Sequence, residues 1–460
     1  MQSRRKFLQM SLCGLTLPAL WQCQALAGPA RRAGEKTAVI LVWLRGGCSH
    51  LDTFDPKPES GSEYAGPFRP IDTVVPGLRL TELLPRLART ADRFSLLRSV
   101  HHTGGGHPAG SLQVLAGDPA AQDKVTPELP DFMSIAHFLR ADPARKIPNY
   151  VGVNPIVNYD SFTIAGPTYL GPSYEAFAVR GDPSQPQFEV PNIGLKDASQ
   201  GERLRERIGL RQGLDGLRRD LDLTGTMSAV DAFEAQAIGL LTSAEARVAF
   251  DIRQEPDAVR DRYGRNAWGQ QCLMARRLVE AGVEIITTTF DGPLCGRVAN
   301  WDDHAVNHHV FDALQFRAPV FDQAISALVE DVYARGLDRR VLVVVTGEFG
   351  RTPRISHVAS SGGGVASAAA GTVQPGRDHW PNANTMLFAG GGIRTGQVIG
   401  ATDRRGEEAV ERRVGPGDFL ATIYRHLGID AANVAIPNFG GRPVPILPTG
   451  EPIVELGAVT

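Results

Sequence analysis

The sequence lacks the features that mark disulfide-stabilised, nucleotide-dependent redox and nucleic-acid-binding proteins. Of its five cysteines in 460 residues, two fall in an amino-terminal leader, and Cys48, Cys272 and Cys295 are odd in number and far apart. Such a set gives no readable disulfide framework. No G-x-G-x-x-G motif stands between a predicted strand and a helix, which disfavours an oxidoreductase. A net charge of −2 gives no electrostatic reason to expect nucleic acid or anionic lipid as a partner.

The amino terminus has the three parts of a cleavable export signal. Arg4 and Arg5 stand in a short basic segment, the apolar run Met10–Trp21 follows, and the small-residue pattern Ala25–Ala27 ends it. The apolar run has 12 residues, whereas a membrane-spanning helix needs roughly 20, which disfavours a transmembrane anchor. The paired arginines indicate the twin-arginine route. The sequence therefore predicts a signal peptide over residues 1–27 and a periplasmic or extracellular mature protein with no transmembrane segment.

The mature chain is long enough for one large domain. Loss of the leader removes three of the 48 basic residues and no acidic one, leaving 45 basic against 50 acidic residues. We expect a linker over residues 28–36, a single domain over 37–450 and a short tail over 451–460. A polar, Pro-rich and then helical stretch over 155–255 is interpreted as an insertion that caps this domain.

Apolar runs of strand length alternate with helical patterns along the chain. A helix is expected over Glu82–Asp92 with Thr81 as its cap, and longer helical stretches over 200–251, 256–281 and 308–336. The expected strands are Thr37–Leu44, Phe94–Val100, Tyr150–Val153, Glu284–Phe290, Val341–Thr346 and Thr385–Ala389. This alternation predicts an α/β fold with a central, mostly parallel sheet flanked by helices on both faces.

Five segments place chemically active side chains next to these strands, where an open parallel sheet binds its ligands. Carboxylates and imidazoles together suit a divalent metal ion such as zinc, manganese or calcium. Arginine offers a bidentate contact to an anionic group. The candidate metal ligands are Asp52, Asp302, His304, Glu348, Asp378 and His379, and the candidate catalytic residues are His107, Arg351 and Arg377.

Several sequence runs resemble one bacterial family. They are GGCSHLDTFDPKP at 46–58, WDDH at 301–304, GEFGRTPRIS at 347–356, GRDHWPN at 376–382 and AGGGIRTGQVIGATDRRG at 389–406. The chain is identified by them as a member of the family catalogued as domain of unknown function 1501, whose members often carry a twin-arginine signal. That family is similar to the alkaline phosphatase and sulfatase superfamily.

The resemblance implies a metal site at the carboxyl edge of the sheet. By position, Asp52 matches the metal aspartate after the first strand, and Asp302 with His304 matches a later acidic and histidine pair. Glu348 matches the carboxylate after a central strand, and His379 the late histidine.

Two departures from the superfamily pattern concern the reacting groups. His107 stands where the superfamily has its Ser, Thr or modified Cys nucleophile, and it can ligate metal, act as a base or form a covalent adduct. In place of the superfamily's acid-plus-histidine pair, this sequence has Glu348 followed by Phe349.

The sequence and the resemblance together predict an exported, metal-dependent hydrolase of small-molecule or polymer-borne phosphate or sulfate esters. The alternative is a non-catalytic binding or assembly protein of the cell envelope that keeps the same fold.

Overall fold

The computed structural model describes residues 36–142, 145–191, 193, 243–292, 294, 300–364 and 366–457. The predicted signal peptide, the linker through residue 35 and the stretch 194–242 of the predicted insertion lie outside these residues. Among the helices within the described ranges, none is both long and apolar enough to cross a membrane.

A sheet of eight strands forms the centre of the fold. Its strands in chain order are β1 (Ala38–Leu44), β2 (Phe94–Val100), β3 (Tyr150–Val153), β4 (Phe177–Val179), β5 (Ile285–Phe290), β6 (Val341–Thr346), β7 (Asn384–Gly390) and β8 (Gln397–Ile399). Their spatial order is β8-β2-β7-β6-β1-β5-β3-β4. Only β7 runs against its neighbours, β6 and β2, and the other pairings in the sheet are parallel. The prediction of a mostly parallel sheet is confirmed.

Helices cover the sheet on both faces. They are α1 (Pro85–Arg89), α2 (His107–Ala116), α3 (Phe132–Leu139), α4 (Ala244–Phe250), α5 (Asp257–Tyr263), α6 (Ala267–Glu280), α7 (Val310–Ala334) and α8 (Pro416–His426). Alternate residues of β1 face opposite sides, as strand geometry requires. Ile40 and Val42 belong to the core that includes α6 and α7, whereas Leu41 and Trp43 belong to the core that includes α2, α3 and α8. Both faces of β1 are therefore apolar because both are buried.

The remaining strands form short two-stranded pairs around the sheet. They are Pro70–Asp72 with Arg79–Thr81, Asn158–Tyr159 with Phe162–Thr163, Gly350–Arg351 with His379–Trp380, Ser356–Ala359 with Val373–Gly376, Ala401–Thr402 with Ala409–Glu411, and Ala435–Pro437 with Pro443–Pro445.

The helix expected over residues 82–92 is shorter in the structure. It begins at Pro85, which suits the first turn because proline has no N–H to leave unpaired. Thr81 does not cap it and instead ends a short strand. The Asp322 side chain on α7 accepts hydrogen bonds from the N–H groups of Arg86 and Leu87, a tertiary cap that local sequence does not reveal.

The described part of the expected insertion begins as strands and turns, not as a helical cap. β4 extends the sheet by pairing parallel with β3, and the hairpin Asn158–Thr163 lies between those two strands in sequence. Prolines spaced through 155–191 prevent a long helix there. Helix α4 follows residue 243. This segment therefore contributes an edge strand to the main domain.

A buried ion pair fixes residues 300–303, which precede α7 in sequence. Arg317 on α7 pairs with Asp303 and also donates to the backbone carbonyl of Asn300. Its guanidinium lies 4.4 Å from the centre of the Trp301 ring. The loop carrying residues 300–303 is thereby attached to a long core helix.

We expect Arg317→Met to destabilise the protein by about 3–5 kcal/mol, because the substitution leaves the Asp303 carboxylate buried without its cation. Urea unfolding followed by circular dichroism measures the change. The matched control is Arg265→Met, which removes an arginine whose carboxylate partners Asp257 and Asp261 are exposed, and it is expected to leave stability nearly unchanged. Equal stability of the two variants would contradict the prediction.

Candidate metal centre

Five chain segments meet at one edge of the sheet. The carboxyl ends of β1, β2, β5 and β6 lie at this edge because those strands are parallel. β7 runs the opposite way, so the segment before it also arrives there. His107 is the first residue of α2 after β2, and Glu348 follows β6. His379 lies in the short strand before β7, opposite Arg351.

Four side chains converge at this edge, and we call them the His–Asp cluster: His107, Asp302, His304 and His379. One ligand atom from each lies within 4.8 Å of all the others. The Nε2 atoms of His107, His304 and His379 lie 3.3, 2.9 and 3.3 Å from Asp302 Oδ1, respectively. Three ring nitrogens therefore surround a single carboxylate oxygen.

A second set of groups holds the other ring nitrogen of each histidine. His107 Nδ1 donates to Glu348 Oε1 at 2.6 Å, and His304 Nδ1 donates to Asp378 Oδ1 at 2.6 Å. His379 Nδ1 donates to the carbonyl oxygen of Gly105 at 2.9 Å. Carboxylates and carbonyls only accept hydrogen bonds, so they hold a ring hydrogen on Nδ1, and each imidazole, when neutral, has its lone pair on Nε2. This is the arrangement by which proteins orient metal-bound histidines.

The resulting Nε2 lone pairs fit a cation at the centre of the cluster. The Nε2 atoms of His304 and His379 lie 2.9 Å apart, so either a proton on one ring or a metal ion has to lie between them. His107 Nε2 is buried and makes no hydrogen bond. The donor set is three imidazole nitrogens and one carboxylate, which is the chemistry of a zinc-type site.

Electrostatics within the cluster also favour positive charge. Burial raises the pKa of Asp302, but Arg351 and the three histidines outweigh it and hold that pKa far below its ordinary value. Burial lowers the pKa of His304, yet its hydrogen bonds with Asp302 and Asp378 raise it to about 9. The pKa of His107 is also raised, because Asp302 and Glu348 outweigh its burial. For His379 burial dominates and lowers the pKa.

The cluster is reachable from solvent. The side chains of His304 and His379 are each 23% exposed and that of Asp302 is 18% exposed. His107 is more deeply placed, between the Phe349 ring and the ring of Tyr159. A small ligand can therefore approach the cluster from the side of His304 and His379.

Glu348 supports the cluster by holding His107. Its side chain is fully buried, and Oε1 accepts hydrogen bonds from both His107 and the backbone N–H of Gly46. The backbone carbonyl of Glu348 accepts a hydrogen bond from His102 Nε2 at 2.6 Å. Glu348 thus holds a histidine of the cluster and is not one of its four members.

The structure places Asp52 and Arg377 together but apart from the cluster. Arg377 contacts both carboxylate oxygens of Asp52, at 2.7 and 3.2 Å, and Ser49 donates to the same carboxylate at 2.5 Å. Arg377 also donates to the carbonyls of Thr352, Pro353 and Tyr64. Both residues are fully engaged in a buried ion pair. The sequence-based expectations were that Asp52 is a metal ligand and that Arg377 contacts a substrate anion, and the contacts in the structure differ from both.

Arg351 contacts the cluster directly. Its guanidinium pairs with Asp302 Oδ1 at 2.6 Å and donates to the carbonyls of Gly46, Gly47 and Arg377. Like Arg377 it is completely buried. It therefore orients Asp302 and the glycine turn after β1.

Sequence reasoning missed two residues that touch the histidines. The Tyr159 ring stacks on the His107 ring with centroids 3.8 Å apart and planes 10° apart. Tyr159 lies in the segment interpreted as an insertion, and no motif marked it. Gly105 acts through its backbone carbonyl, a role that residue type does not reveal, although it stands in the Gly-rich run before His107.

Comparison with solved structures finds a sulfatase, a phosphonate monoester hydrolase and a lipoteichoic acid synthase, all at low similarity. A sulfatase from Pseudoalteromonas sp. has a TM-score of 0.35 at 12% identity, covering 90% of this chain and 71% of its own. The phosphonate monoester hydrolase of Agrobacterium radiobacter has a TM-score of 0.37 at 11% identity, covering 92% and 78%. The lipoteichoic acid synthase LtaP of Listeria monocytogenes has a TM-score of 0.34 at 9% identity, covering 89% and 78%. Scores this low do not assign an activity to this chain.

No curated protein matches the sequence. A family model, in contrast, matches residues 36–456 and so spans the whole described domain. The matched range includes every member of the His–Asp cluster and the groups that hold it. The chain therefore belongs to the family described as "Protein of unknown function (DUF1501)".

Proposed function

We propose that this protein is a metal-dependent hydrolase of phosphate or sulfate esters and that the His–Asp cluster holds its metal ion. The observation that carries the proposal is the convergence of three Nε2 atoms on Asp302 Oδ1, each ring being held at Nδ1 by an acceptor. Neutral imidazoles would turn Nε2 lone pairs toward Asp302 Oδ1 at these distances, and a cation at the centre would remove that repulsion.

Zinc fits the donor set best among the ions that carboxylates and imidazoles suit. Zinc takes four ligands from imidazole nitrogen and carboxylate oxygen, and the His–Asp cluster offers that number and type. Calcium takes about six to eight oxygen ligands, and manganese is suited by carboxylate, carbonyl and water oxygens. When bound, such an ion acts as a Lewis acid toward an ester oxygen and lowers the pKa of a water molecule.

The residues of the chain would orient the ion and the substrate. Glu348, Asp378 and the Gly105 carbonyl keep the three imidazoles in one tautomer. Asp302 is shared with Arg351, whose guanidinium would hold the carboxylate in place beside the ion. Of the three roles left open for His107, its position supports that of a ligand, because Glu348 holds Nδ1 and Nε2 faces Asp302.

A second candidate function is a non-catalytic envelope protein with a structural metal. Four protein ligands complete the shell of a structural zinc site, whereas catalytic sites keep one position open. Arg351 and Arg377, the arginines expected to bind a substrate anion, are both committed to carbonyls and carboxylates of the chain. These two observations are what supports this second candidate.

We also propose that the protein acts outside the cytoplasm after twin-arginine export. The basic, apolar and small-residue parts of residues 1–27 support this. Export of an already folded chain would let the cluster acquire its metal in the cytoplasm.

Metal binding tests the cluster. We expect the protein to bind about one zinc ion per chain, because the part of the chain that the structure describes contains one such four-ligand group. Loss of a partner outside the ligand shell already weakens metal binding by about 10–100-fold, so His304→Ala is expected to weaken it by more than about 100-fold. Competitive titration with a fluorescent chelator gives the affinity, and the exposed His357→Ala is the matched control. Equal zinc affinity of the two variants would rule out the site.

Turnover separates the two candidate functions. We expect the zinc-loaded protein to release 4-nitrophenol from 4-nitrophenyl phosphate, bis(4-nitrophenyl) phosphate or 4-nitrophenyl sulfate. Asp302→Ala should reduce the rate to background, because it removes the carboxylate at the centre of the cluster, while Asp257→Ala at an exposed site should not. Stoichiometric zinc with no turnover of any of the three esters would favour the structural-metal candidate.

Export is tested in a bacterium with an intact twin-arginine pathway. The double variant Arg4→Lys/Arg5→Lys should remain uncleaved in the cytoplasm, because the route reads the paired arginines. The control is Arg31→Lys/Arg32→Lys in the linker, which should be exported and cleaved after Ala27. Cell fractionation and mass spectrometry report both properties, and normal export of the first variant would exclude the twin-arginine route.

A further inference from the structure

A hydrolase of anionic esters needs a cation that the substrate can reach, and Arg45 meets this requirement. Arg351 and Arg377 are completely buried and hydrogen-bonded on several sides. Arg45, which directly follows β1, has a side chain that is 19% exposed. It therefore presents charge to solvent at the same edge of the sheet.

The carboxylate partners of Arg45 are partly exposed. Asp291 accepts a hydrogen bond from Nη1 at 3.0 Å, and Asp160 lies 3.5 Å from Nη2. The Asp160 side chain is 79% exposed, and ion pairs so open to water contribute little to stability. An incoming anion can therefore replace Asp160 at little cost.

Tyr159 connects Arg45 to the cluster. The guanidinium carbon of Arg45 lies 4.1 Å from the centre of the Tyr159 ring, and that ring stacks on His107 at 3.8 Å. These two distances bound the separation between the guanidinium and the His107 ring at about 8 Å. The hairpin Asn158–Thr163, which carries Tyr159 and Asp160, forms the wall on this side.

We propose that Arg45 is a second anion-binding subsite, which takes a charged group of the substrate other than the one at the His–Asp cluster. This inference rests on the proposed function and names its substrate class: esters with two anionic groups, such as bisphosphates or polymers with regularly spaced phosphate or sulfate. The Tyr159 ring contacts both the Arg45 guanidinium and the His107 ring, so a single small anion would have to reach around that ring to touch both Arg45 and the cluster. A substrate with a second anionic group a few bonds away from the first can occupy both places.

Asp160 limits the affinity of this subsite. It competes for the same guanidinium, and its backbone has a φ of 49°. Asparagine tolerates this left-handed conformation as aspartate does, so Asp160→Asn removes the competing charge without straining the turn. Arg45→Gln removes the subsite itself.

The experiment compares propyl phosphate with propane-1,3-diyl bisphosphate by isothermal titration calorimetry on the zinc-loaded protein. We expect the bisphosphate to bind more tightly than the monophosphate, and Arg45→Gln to reduce that ratio of affinities by about fivefold. Asp160→Asn should raise the ratio by about twofold to threefold, since one competing charge is removed. The control Arg69→Gln, at an exposed arginine paired with Glu82, should leave the ratio unchanged.

The outcomes separate this inference from the proposed function. The subsite is overturned if the ratio of bisphosphate to monophosphate affinity is the same in the wild-type protein and the three variants, even if aryl esters are hydrolysed. A ratio that follows Arg45 and Asp160 supports the subsite, even if no ester is turned over. Both conclusions require that Arg45→Gln has the same zinc content as the wild-type protein. Asp160→Asn changes only an exposed turn. The affinity ratio of Asp160→Asn therefore still tests the subsite if Arg45→Gln does not fold.

Discussion

The negative charge of Asp302 is the interaction on which the candidate site depends. Its Oδ1 meets the Nε2 atoms of three histidines and the guanidinium of Arg351. Because the surroundings are mostly protein, each of these interactions is stronger than it would be in water. The same low dielectric makes unpaired groups costly, so the imidazoles need acceptors at Nδ1, and Glu348, Asp378 and the Gly105 carbonyl supply them.

Buried arginines fix the chain segments that surround the cluster. Arg317 holds the loop that contains Asp302 by pairing with Asp303, and Arg377 joins the turn after β1 to the segment before β7 through Asp52. A guanidinium has five donors in a fixed plane, so one arginine can bridge several carbonyls from distant segments. In this protein the buried arginines position backbone, and the partly exposed Arg45 is the one that we infer to meet a ligand.

Much of the sheet was predictable because a strand buried on both faces must be apolar along its length. Phe94–Val100, Tyr150–Val153 and Val341–Thr346 have the bounds that the sequence indicates. The length of α1 was not predictable, since its cap comes from Asp322 on a distant helix. The edge strand β4 was missed because three residues carry too little pattern to be recognised.

For the site, the sequence by itself determined which residue types arrive at the carboxyl edge, since polar residues that follow buried strands must emerge there. His107, Asp302 and His304 were identified as residues that follow such strands, and His379 as one that precedes the strand predicted from residue 385. Only the tertiary structure decided which groups pair, and it joined Asp52 to Arg377 and placed Tyr159 against His107. The physical reason is that a hydrogen bond or a ring contact depends on ångström-scale positions of residues distant in sequence, and composition and spacing along the chain do not carry that information.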